Sequence, residues 1–379
     1  MGRSIKVALL KSRLEKQGGL EKYAKQLVKA FVLKGCDVTI LTTGTPIDKY
    51  PCEVISLGKP GLFSALNILT FDQQCKKWLA ENPQDIVFGT ERTTFQTHYR
   101  AGNGVHAAYL ERRKRSEGFW KRLSFAINPL HHTILSFERK AFEDPQLERL
   151  FVNSHMVRSE VLEHYKTNPD KIDVIHNGVE WSEWQKPFDS WTATRHELLK
   201  ALGLDQGCHQ LLFVGHGFRR KGLDRLLHGI ARTRHPSNIQ LAVVGVDKEA
   251  GFFQNLASEL KLNVKFFGAR SDIISFYQAA DALAIPSTYD PFANVTVEAL
   301  AMGLFVITSK DNGGHEIINR QIGTVIENLD DPEAIADSLR IAMQHPKTTE
   351  SAIAIRVQTR RYDFANQLNT IVDRTLAKR

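Results

Sequence analysis

Two acidic residues lie close together in the segment IPSTYDPFANVTVEALAMG (285–303): Asp290 and Glu298, with seven residues between them. A carboxylate accepts several hydrogen bonds and therefore suits the hydroxyl groups of a sugar. Asp290 and Pro291 could instead be an ordinary helix start, and Glu298 an exposed helix charge. We favour a ligand site, because backbone N–H groups at a helix N-terminus suit phosphate or sugar oxygens. The candidate amides are those of Phe292, Ala293, Asn294 and Val295.

Three consecutive cations, Arg219, Arg220 and Lys221, follow a buried strand pattern in the segment FVGHGFRRKGLDRL (213–226). A charge run of this kind is usually a solvated surface. Here, however, the cations come where a parallel strand ends, and ligands bind at the carboxyl ends of such strands. Guanidinium and ammonium groups bind phosphate well, so the pattern favours a diphosphate site.

A pair of glycines, Gly18 and Gly19, lies between the first predicted strand and the first predicted helix. Residues without a side chain let a phosphate approach the backbone and the helix N-terminus. A tight turn without function is the alternative. The GxGxxG fingerprint is absent here, which argues against a nicotinamide dinucleotide as the ligand.

Strand and helix patterns alternate along the chain, which predicts parallel sheets with helices on both faces. In the first half, IKVALL and DVTILTT are predicted strands, and an amphipathic helix lies between them. The second half repeats the alternation from QLLFVGHG onward. The 379 residues are about twice a typical domain length, so we expect an α/β protein with two doubly wound, Rossmann-like domains.

The predicted domains cover residues 1–180 and 196–358, with an interdomain linker at 181–195 and an amphipathic helix at 359–379. The connection is placed there because the segment NGVEWSEWQKPFDSW (177–191) follows neither a helical nor a strand period. Ligands bind at the carboxyl ends of parallel strands. We therefore expect the functional site in a central cleft, where the carboxyl ends of both sheets face each other.

The composition argues against several classes of protein. The four cysteines include no CxxC pair, so neither a zinc site nor a redox motif is expected, and a reduced cytoplasmic compartment fits best. No apolar stretch approaches the roughly 20 residues of a membrane-spanning helix. The net charge is +8, and residues 1–187 hold 28 lysines and arginines against 21 acids, which predicts an anionic partner for that half.

The stretch ERRKRSEGFWKR (111–122) combines six cations with Phe119 and Trp120. Taken alone, it is typical of a solvated surface. Beside an acceptor-binding region, it becomes a candidate for contact with an anionic lipid surface. A nucleic-acid partner is not expected, because the chain contains no known nucleic-acid motif. The candidate surface residues are Arg112, Arg113, Lys114, Arg115, Trp120, Lys121 and Arg122.

Four segments, taken together and in order, resemble the family 4 glycosyltransferases, which are retaining enzymes with the GT-B fold. They are VIHNGVE, FVGHGFRRKGLD, DALAIPSTYDPFANVTVEALAMG and NGGHEII. The resemblance covers most of the chain. Within the family, FRRKGLDR and SFERKAFE are most similar to the bacterial lipopolysaccharide-core glucosyltransferases.

The resemblance implies a hexosyltransferase that uses a nucleotide diphospho-sugar, with UDP-glucose as the expected donor. Residues 1–180 would bind the acceptor, a lipopolysaccharide core or related glycolipid. Residues 196–358 would bind the nucleotide sugar, and the C-terminal helix would cross back to the first domain. No metal or other cofactor is implied, because cations and helix N-termini can neutralise the leaving diphosphate. A cytoplasmic monomer at the inner face of the cytoplasmic membrane is expected.

The resemblance also implies roles for the motif residues. Arg220 and Lys221 would hold the diphosphate, aided by the Gly19 amide from the other domain. Asp290 would bind hydroxyls of the donor sugar, and Glu298 would bind the ribose hydroxyls.

His106 stands where the family places a residue close to the reaction centre, although a loop histidine without function is the alternative. The backbone from Phe267 to Arg270 would frame the base, and the Arg270 side chain could contact base or phosphate. The sequence departs from the family at Asp290, where glutamate is usual, and at Ala293, where glycine is usual. The shorter arm of Asp290 puts the identity of the sugar in doubt.

Two other functions fit the same sequence. A nucleotide-sugar epimerase with the GT-B fold would convert a UDP-sugar without an acceptor. A non-catalytic protein that binds nucleotides or anionic lipid would show no turnover, and the departures at Asp290 and Ala293 are its support.

Overall fold

The computed structural model describes residues 3–14, 19–44, 50–58, 64–116, 125 and 127–377. The chain divides into two compact units. The first comprises Met1–Ile175 together with Gln367–Arg379, and the second comprises His176–Asn366.

The first unit is an α/β structure. Its described strands are Lys6–Leu10 (β1), Asp37–Thr42 (β2), Glu53–Ser56 (β3), Ile86–Gly89 (β4), His98–Arg100 (β5), Arg149–Val152 (β6) and Ile172–Val174 (β7). Its described helices are Gly19–Leu33 (α1), Ser64–Glu81 (α2), His106–Ser116 (α3), Pro129–Phe142 (α4) and His155–His164 (α5). The strands form one parallel sheet in the order β3-β2-β1-β4-β5-β6-β7.

The second unit repeats this plan. Its strands are His209–Val214 (β8), Ile239–Val244 (β9), Val264–Gly268 (β10), Ala282–Ile285 (β11), Phe305–Ser309 (β12) and Gly323–Ile326 (β13). Its helices are Trp181–Ala201 (α6), Leu223–Ala231 (α7), Ala250–Glu259 (α8), Ile273–Ala279 (α9), Asn294–Ala301 (α10), Pro332–Met343 (α11) and Thr349–Thr359 (α12), and Phe364–Leu376 (α13) begins there. The strands form a parallel sheet in the order β10-β9-β8-β11-β12-β13.

Both sheets are buried on their two faces, as parallel sheets with helical crossovers are. In β1, the residues from Val7 to Leu10 are fully buried, and the same holds for all four residues of β11. This burial accounts for the continuous apolar runs in the sequence. The prediction of two parallel α/β units is therefore confirmed.

The strand order of each sheet contains one point where the direction of winding reverses. In the first unit this point lies between β1 and β4, and in the second between β8 and β11. The loops that leave the two central strands diverge there, and the crevice between them binds ligands in folds of this type. The cationic segment follows β8 and the acidic segment follows β11, so the topology brings the two motifs to one place.

Four of these strands, β3, β5, β7 and β13, were not predicted from the sequence pattern. Each has only three or four residues, and polar residues interrupt the apolar pattern. Strands this short contain too little of the two-residue period to be recognised.

The segment 181–195, predicted as an interdomain linker, is the first part of helix α6, which lies in the second unit. The prediction that residues 177–191 follow no helical period is wrong for the part from Trp181 onward. Its buried residues, Trp181, Trp184, Phe188 and Trp191, are spaced three or four apart and occupy one face of the helix. Pro187 in the interior of the helix obscured this pattern, because proline is usually a helix breaker.

Helix α13 passes from the second unit into the first, where the residues from Gln367 onward belong. Leu368, Ile371 and Val372 are buried, at 3%, 0% and 0% exposure. The carboxylate of Asp373, on the exposed side of α13, lies 2.7 Å from the ammonium of Lys34, which directly follows α1. None of the described helices is long and apolar enough to cross a membrane.

Replacement of Ile371 by alanine is expected to destabilise the first unit by about 2–5 kcal/mol, because the change leaves a cavity at a fully buried position. Calorimetry or limited proteolysis would measure the loss. Asn369→Ala, on the exposed face of the same helix, is the control and should change stability by about 0.5 kcal/mol or less. Equal stability of the two variants would contradict a packing role for this helix.

Candidate functional site

The cationic loop and the acidic segment meet at a buried carboxylate in the second unit. The Nζ of Lys221 lies 2.6 Å from Oδ2 of Asp290, and Nη1 of Arg220 lies 3.0 Å from the same oxygen. Arg220 also donates from Nη1 to the Tyr289 carbonyl at 3.0 Å. One carboxylate oxygen therefore holds both cations that the sequence assigned to the diphosphate.

Burial and charge act in opposite directions on Asp290. Burial alone would raise the pKa of this carboxyl, but Lys221 and Arg220 lower it, and the result lies below the ordinary value. Asp290 is therefore ionised at neutral pH. Lys221 is also buried, with 8% exposure, whereas the Arg220 side chain is 38% exposed and its guanidinium can be reached from solvent.

The shape of the cationic loop, which contains Arg219, Arg220 and Lys221, depends on two glycines and on an acid in the loop after the neighbouring strand. Gly217 and Gly222 have φ angles of +72° and +79°, a region that other residues rarely adopt. Asp247, which follows β9, accepts the Phe218 N–H at 2.6 Å. Thr288, which follows β11, donates its N–H to the Arg220 carbonyl at 2.8 Å. These bonds fix the direction in which the two cations leave the loop.

Two of the four amides predicted to bind ligand oxygens already have protein partners. The Phe292 N–H donates to Oδ1 of Asp290 at 3.2 Å, and the Ala293 N–H donates to Oδ1 of Asn312 at 3.0 Å. Asn294 and Val295 are the first two residues of α10, where backbone N–H groups have no partner within the helix. Within the described residues, these two amides are the ones left for a ligand.

Glu298 is half-buried on α10, and a buried tyrosine fixes its carboxylate. The Tyr277 hydroxyl donates to Oε2 of Glu298 at 2.7 Å. Burial, and then the charge of Glu298, raise the pKa of Tyr277 well above its ordinary value, so the phenol keeps its proton. Tyr277 in turn packs edge-on against Trp184 of α6, with ring centroids 5.3 Å apart. Tyr277 was not predicted as a site residue, because its only signal in the sequence is its place in a helical pattern.

Two asparagines that were not predicted from the sequence connect the motifs of the second unit. Asn312, fully buried, accepts from the amides of Ala293 and Gly314, both at 3.0 Å, and donates to Thr308 at 2.8 Å. Asn177 donates to Oδ1 of Asn294 at 2.7 Å. Both asparagines lie in segments that resemble family motifs, NGGHEII and VIHNGVE, and this position was the sequence signal that could have identified them.

The residues predicted to frame a base, Phe267 to Arg270, lie at the carboxyl end of β10 and directly after it. Phe267 packs edge-on against Phe276 of α9, with centroids 4.8 Å apart. Arg270 is exposed and forms two hydrogen bonds to Asp272, at 2.8 and 2.7 Å. The Arg270 guanidinium is thus engaged by a neighbouring acid, and its role toward a base stays a prediction.

In the first unit, His106 is the first residue of α3 and is held at its backbone and its ring. Its N–H donates to both oxygens of Glu138, at 2.9 and 3.0 Å. Its Nε2 lies 2.9 Å from Nδ1 of His131. Of the two glycines predicted to approach phosphate, Gly19 begins α1, and Gly18 lies outside the described residues.

A pocket opens in the first unit at the carboxyl ends of β1, β2 and β4. Its polar wall includes Glu91, which is neutralised by the buried ammonium of Lys11 and also accepts from the Ser12 hydroxyl. Arg13 and Arg92 line the same pocket, and neither has an ion-pair partner among the described residues. The remaining lining residues are Ser12, Thr43, Asn67, Ile68, Thr70, Phe71 and Gln74.

The predicted membrane-facing cations on α3 differ in their surroundings. Arg112 donates to the buried carboxylate of Glu160 at 3.1 Å. Arg113 stacks over the Phe125 ring at 4.6 Å, and Lys114 is exposed. The Arg115 side chain lies outside the described part of the structure, as do Trp120, Lys121 and Arg122.

One group of side chains in the first unit has the composition of a metal site. Glu111, Glu163 and His164 each offer a ligand atom within 4.8 Å of the others, and both acids are exposed. Exposed groups of this kind are common without a metal, and nothing further points to a cation there.

Two family models match the chain, one in each half. The model described as Glycosyltransferase Family 4 matches residues 17–183, and the model described as Glycosyl transferases group 1 matches residues 194–356. The lipopolysaccharide glucosyltransferase WaaG of Escherichia coli (strain K12) is 30% identical over 272 residues, which are 70% of each chain. An uncharacterized glycosyltransferase of Methanocaldococcus jannaschii is 23% identical over 339 residues, 84% of this chain and 83% of that protein.

Among solved structures, the crystal structure of WaaG, described as a glycosyltransferase involved in lipopolysaccharide biosynthesis, superposes with a TM-score of 0.76. The superposition covers 97% of this chain and 99% of that one, at 25% sequence identity.

Proposed function

The chain belongs to the family 4 glycosyltransferases and has the GT-B fold, and on that basis we propose that it transfers a hexose from a nucleotide diphospho-sugar to a lipopolysaccharide-core or related glycolipid acceptor. UDP-glucose is the proposed donor. The transfer would retain the anomeric configuration and proceed without a metal ion.

The arrangement of Lys221, Arg220 and Asp290 is the observation that carries this proposal. An ammonium group has three N–H donors and a guanidinium five. Asp290 uses one donor of each, and the Tyr289 carbonyl uses one more of Arg220, so two donors of Lys221 and three of Arg220 remain available for a diphosphate. The carboxylate holds the two cations in place before the nucleotide sugar binds, and preorganised charge of this kind stabilises the negative charge that develops on a leaving group.

The neighbouring groups suit the remaining parts of a nucleotide sugar. The amides of Asn294 and Val295 at the N-terminus of α10 would bind phosphate or sugar oxygens. Glu298, oriented by Tyr277, would accept hydrogen bonds from the ribose hydroxyls. With two cations and a helix N-terminus to neutralise the diphosphate, the proposed reaction needs no metal at this position.

The proposal of glucose and of a lipopolysaccharide-type acceptor rests on the relative named lipopolysaccharide glucosyltransferase. For the acceptor, we propose the pocket of the first unit, where the guanidinium groups of Arg13 and Arg92 suit an anionic sugar. Contact with an anionic membrane is proposed for the surface that includes Lys114, which is the exposed cation among the described residues of that stretch.

A donor screen tests the proposal. The purified protein is heated with UDP-, GDP- and ADP-hexoses, and a single nucleotide should raise Tm, because a ligand at 100 times its Kd adds about 2.7 kcal/mol. NMR of the product formed with a lipopolysaccharide core should then show retention. Conversion of the donor without acceptor would indicate the epimerase instead, and binding without any turnover would indicate a non-catalytic protein.

Replacement of Glu298 by glutamine is expected to raise KM for the donor about 10- to 100-fold, because a charge-assisted hydrogen bond is worth about 1.5–3 kcal/mol. The amide oxygen can still accept from Tyr277, so the fold should be kept. Glu259→Gln, at an exposed position on α8, is the matched control. An unchanged KM in steady-state kinetics would remove Glu298 from the donor site.

A further inference from the structure

The ring of His106 is paired with a second imidazole that the sequence motifs do not mark. Nε2 of His106 and Nδ1 of His131 lie 2.9 Å apart, with ring centroids 5.0 Å apart. For the other ring nitrogen of His106, Nδ1, the described residues provide no hydrogen-bond partner. One nitrogen of His106 is therefore held by the protein, and the other is available to a ligand.

The backbone of His106 is also held by a hydrogen bond. The buried carboxylate of Glu138 accepts the His106 N–H and the Tyr165 hydroxyl, the latter at 2.7 Å. Glu138 and His131 both lie on α4, seven residues apart and therefore two turns along one face. A single helix thus fixes the start of α3 and the ring that projects from it.

A hydrogen bond between two neutral imidazoles contains one proton, and its position decides what the outer nitrogen of His106 can do. If Nε2 of His106 carries the proton and donates to His131, then Nδ1 of His106 has a free lone pair and accepts. If His131 donates instead, Nδ1 of His106 carries the proton and donates. The state of His131 therefore selects between an acceptor and a donor at Nδ1 of His106.

Burial, together with the charges around the pair, favours the neutral form of both rings. Burial, followed by the charges of Arg92 and His131, lowers the pKa of His106 to about 4. Burial also lowers the pKa of His131, with contributions from Arg113 and His132. The titratable and charged groups that face the pair are Arg92, Tyr109, Arg113, His132 and Glu138.

We propose that His131 is a positioning residue, which accepts the Nε2 proton of His106 and so holds His106 in the tautomer whose Nδ1 accepts a hydrogen bond from a sugar hydroxyl. This inference rests on the proposed function. His131 itself does not touch the substrate. When His131 becomes protonated in acid, its Nδ1 can only donate, and His106 is forced into the opposite tautomer.

Substitutions at His131 separate this role from simple packing. His131→Phe keeps a ring but removes the acceptor, and kcat should fall about 3- to 10-fold, as expected for one neutral hydrogen bond. Donor affinity in a thermal-shift titration should change less than twofold. His131→Gln can place its amide oxygen near Nε2 of His106, so most of the activity should return. His228→Gln, at an exposed position on α7, is the control.

The pH profile provides the readout that a structural role would not change. Wild-type kcat should decline toward acid as His131 takes up a proton, and His131→Gln should lose that decline, because an amide does not titrate in this range. Nitrogen NMR of histidine-labelled protein should show an unprotonated Nδ1 on His106 in the wild type and a mixture of tautomers in His131→Phe.

The outcomes are distinguishable from failure of the proposed function. If the wild-type protein transfers no sugar to any acceptor, the proposed function is wrong. If it transfers sugar, and both His131 variants match the wild type and His228→Gln in kcat and pH profile, the positioning role is wrong. If His131→Gln is as impaired as His131→Phe, the acceptor role assigned to His131 is also wrong.

Discussion

Replacement of Lys221 by alanine is expected to lower the transfer rate about 100- to 1,000-fold, which is the usual effect of removing one preorganised group that stabilises developing negative charge. The ammonium is 2.6 Å from Asp290 and Lys221 is only 8% exposed, so the substitution removes a positive charge from a buried position. Single-turnover kinetics with a saturating donor would measure the change. The exposed Lys200→Ala is the control and should retain the wild-type rate.

The same substitution also affects stability, and this effect must be separated from catalysis. Without Lys221, the buried carboxylate of Asp290 keeps one of its two cationic partners, Arg220, and breaking a buried pair costs about 3–5 kcal/mol. The double variant Lys221→Ala/Asp290→Asn removes the unpaired charge and should recover stability without recovering activity. Recovery of both would show that Lys221 acts only through the fold.

The pH dependence of this stability loss has a defined direction. The folded pKa of Asp290 lies below its ordinary value, so its ionisation stabilises the wild type above the unfolded pKa, and this stabilisation is lost as the pH falls through the folded pKa. Of the two cations that lower this pKa, Lys221 has the larger effect, and the substitution removes it. Denaturant titrations should therefore show a smaller difference between wild type and Lys221→Ala in acid than at neutral pH.

Replacement of Gly222 by alanine is expected to abolish activity and to destabilise the second unit by about 3 kcal/mol or more. A Cβ at this position would lie 1.9 Å from the carbonyl oxygen of Pro286, far inside any real contact. The φ angle of +79° adds strain of about 1–3 kcal/mol for a residue with a side chain. Since Gly222 directly follows Lys221, the loop cannot shift without moving the ammonium away from Asp290.

Two further glycine substitutions test the reason for this effect. Gly251→Ala lies in helix α8 with nothing within 4 Å of the added carbon, and should gain about 0.5–1 kcal/mol. Gly222→Asn tolerates the backbone angle but not the clash, so it should be about as damaging as alanine. Thermal unfolding and activity would be measured for all three variants. Wild-type behaviour of Gly222→Ala would disprove the close approach of the two loops.

The sequence predicted both α/β units and placed the cationic and acidic motifs at strand ends, where the structure has them. This succeeded because fully buried parallel strands are continuous apolar runs that local pattern reveals. Helix α6 was not predicted because Pro187 lies inside it, and the short strands β3, β5, β7 and β13 were not predicted because three or four residues contain too little period.

The sequence by itself determined which residue types are available at the site: Arg220, Lys221, Asp290 and Glu298. Only the tertiary structure decided how they are used. In the structure the Ala293 amide donates to Asn312, whereas the amides of Asn294 and Val295 remain available to a ligand. The Tyr277 hydroxyl donates to Glu298. Ala293 and Asn312 are 19 residues apart in the chain, and Tyr277 and Glu298 are 21 residues apart. Both separations are beyond the range of any helical or strand period. The same limit applies to His131, which meets His106 only because α4 packs near the start of α3.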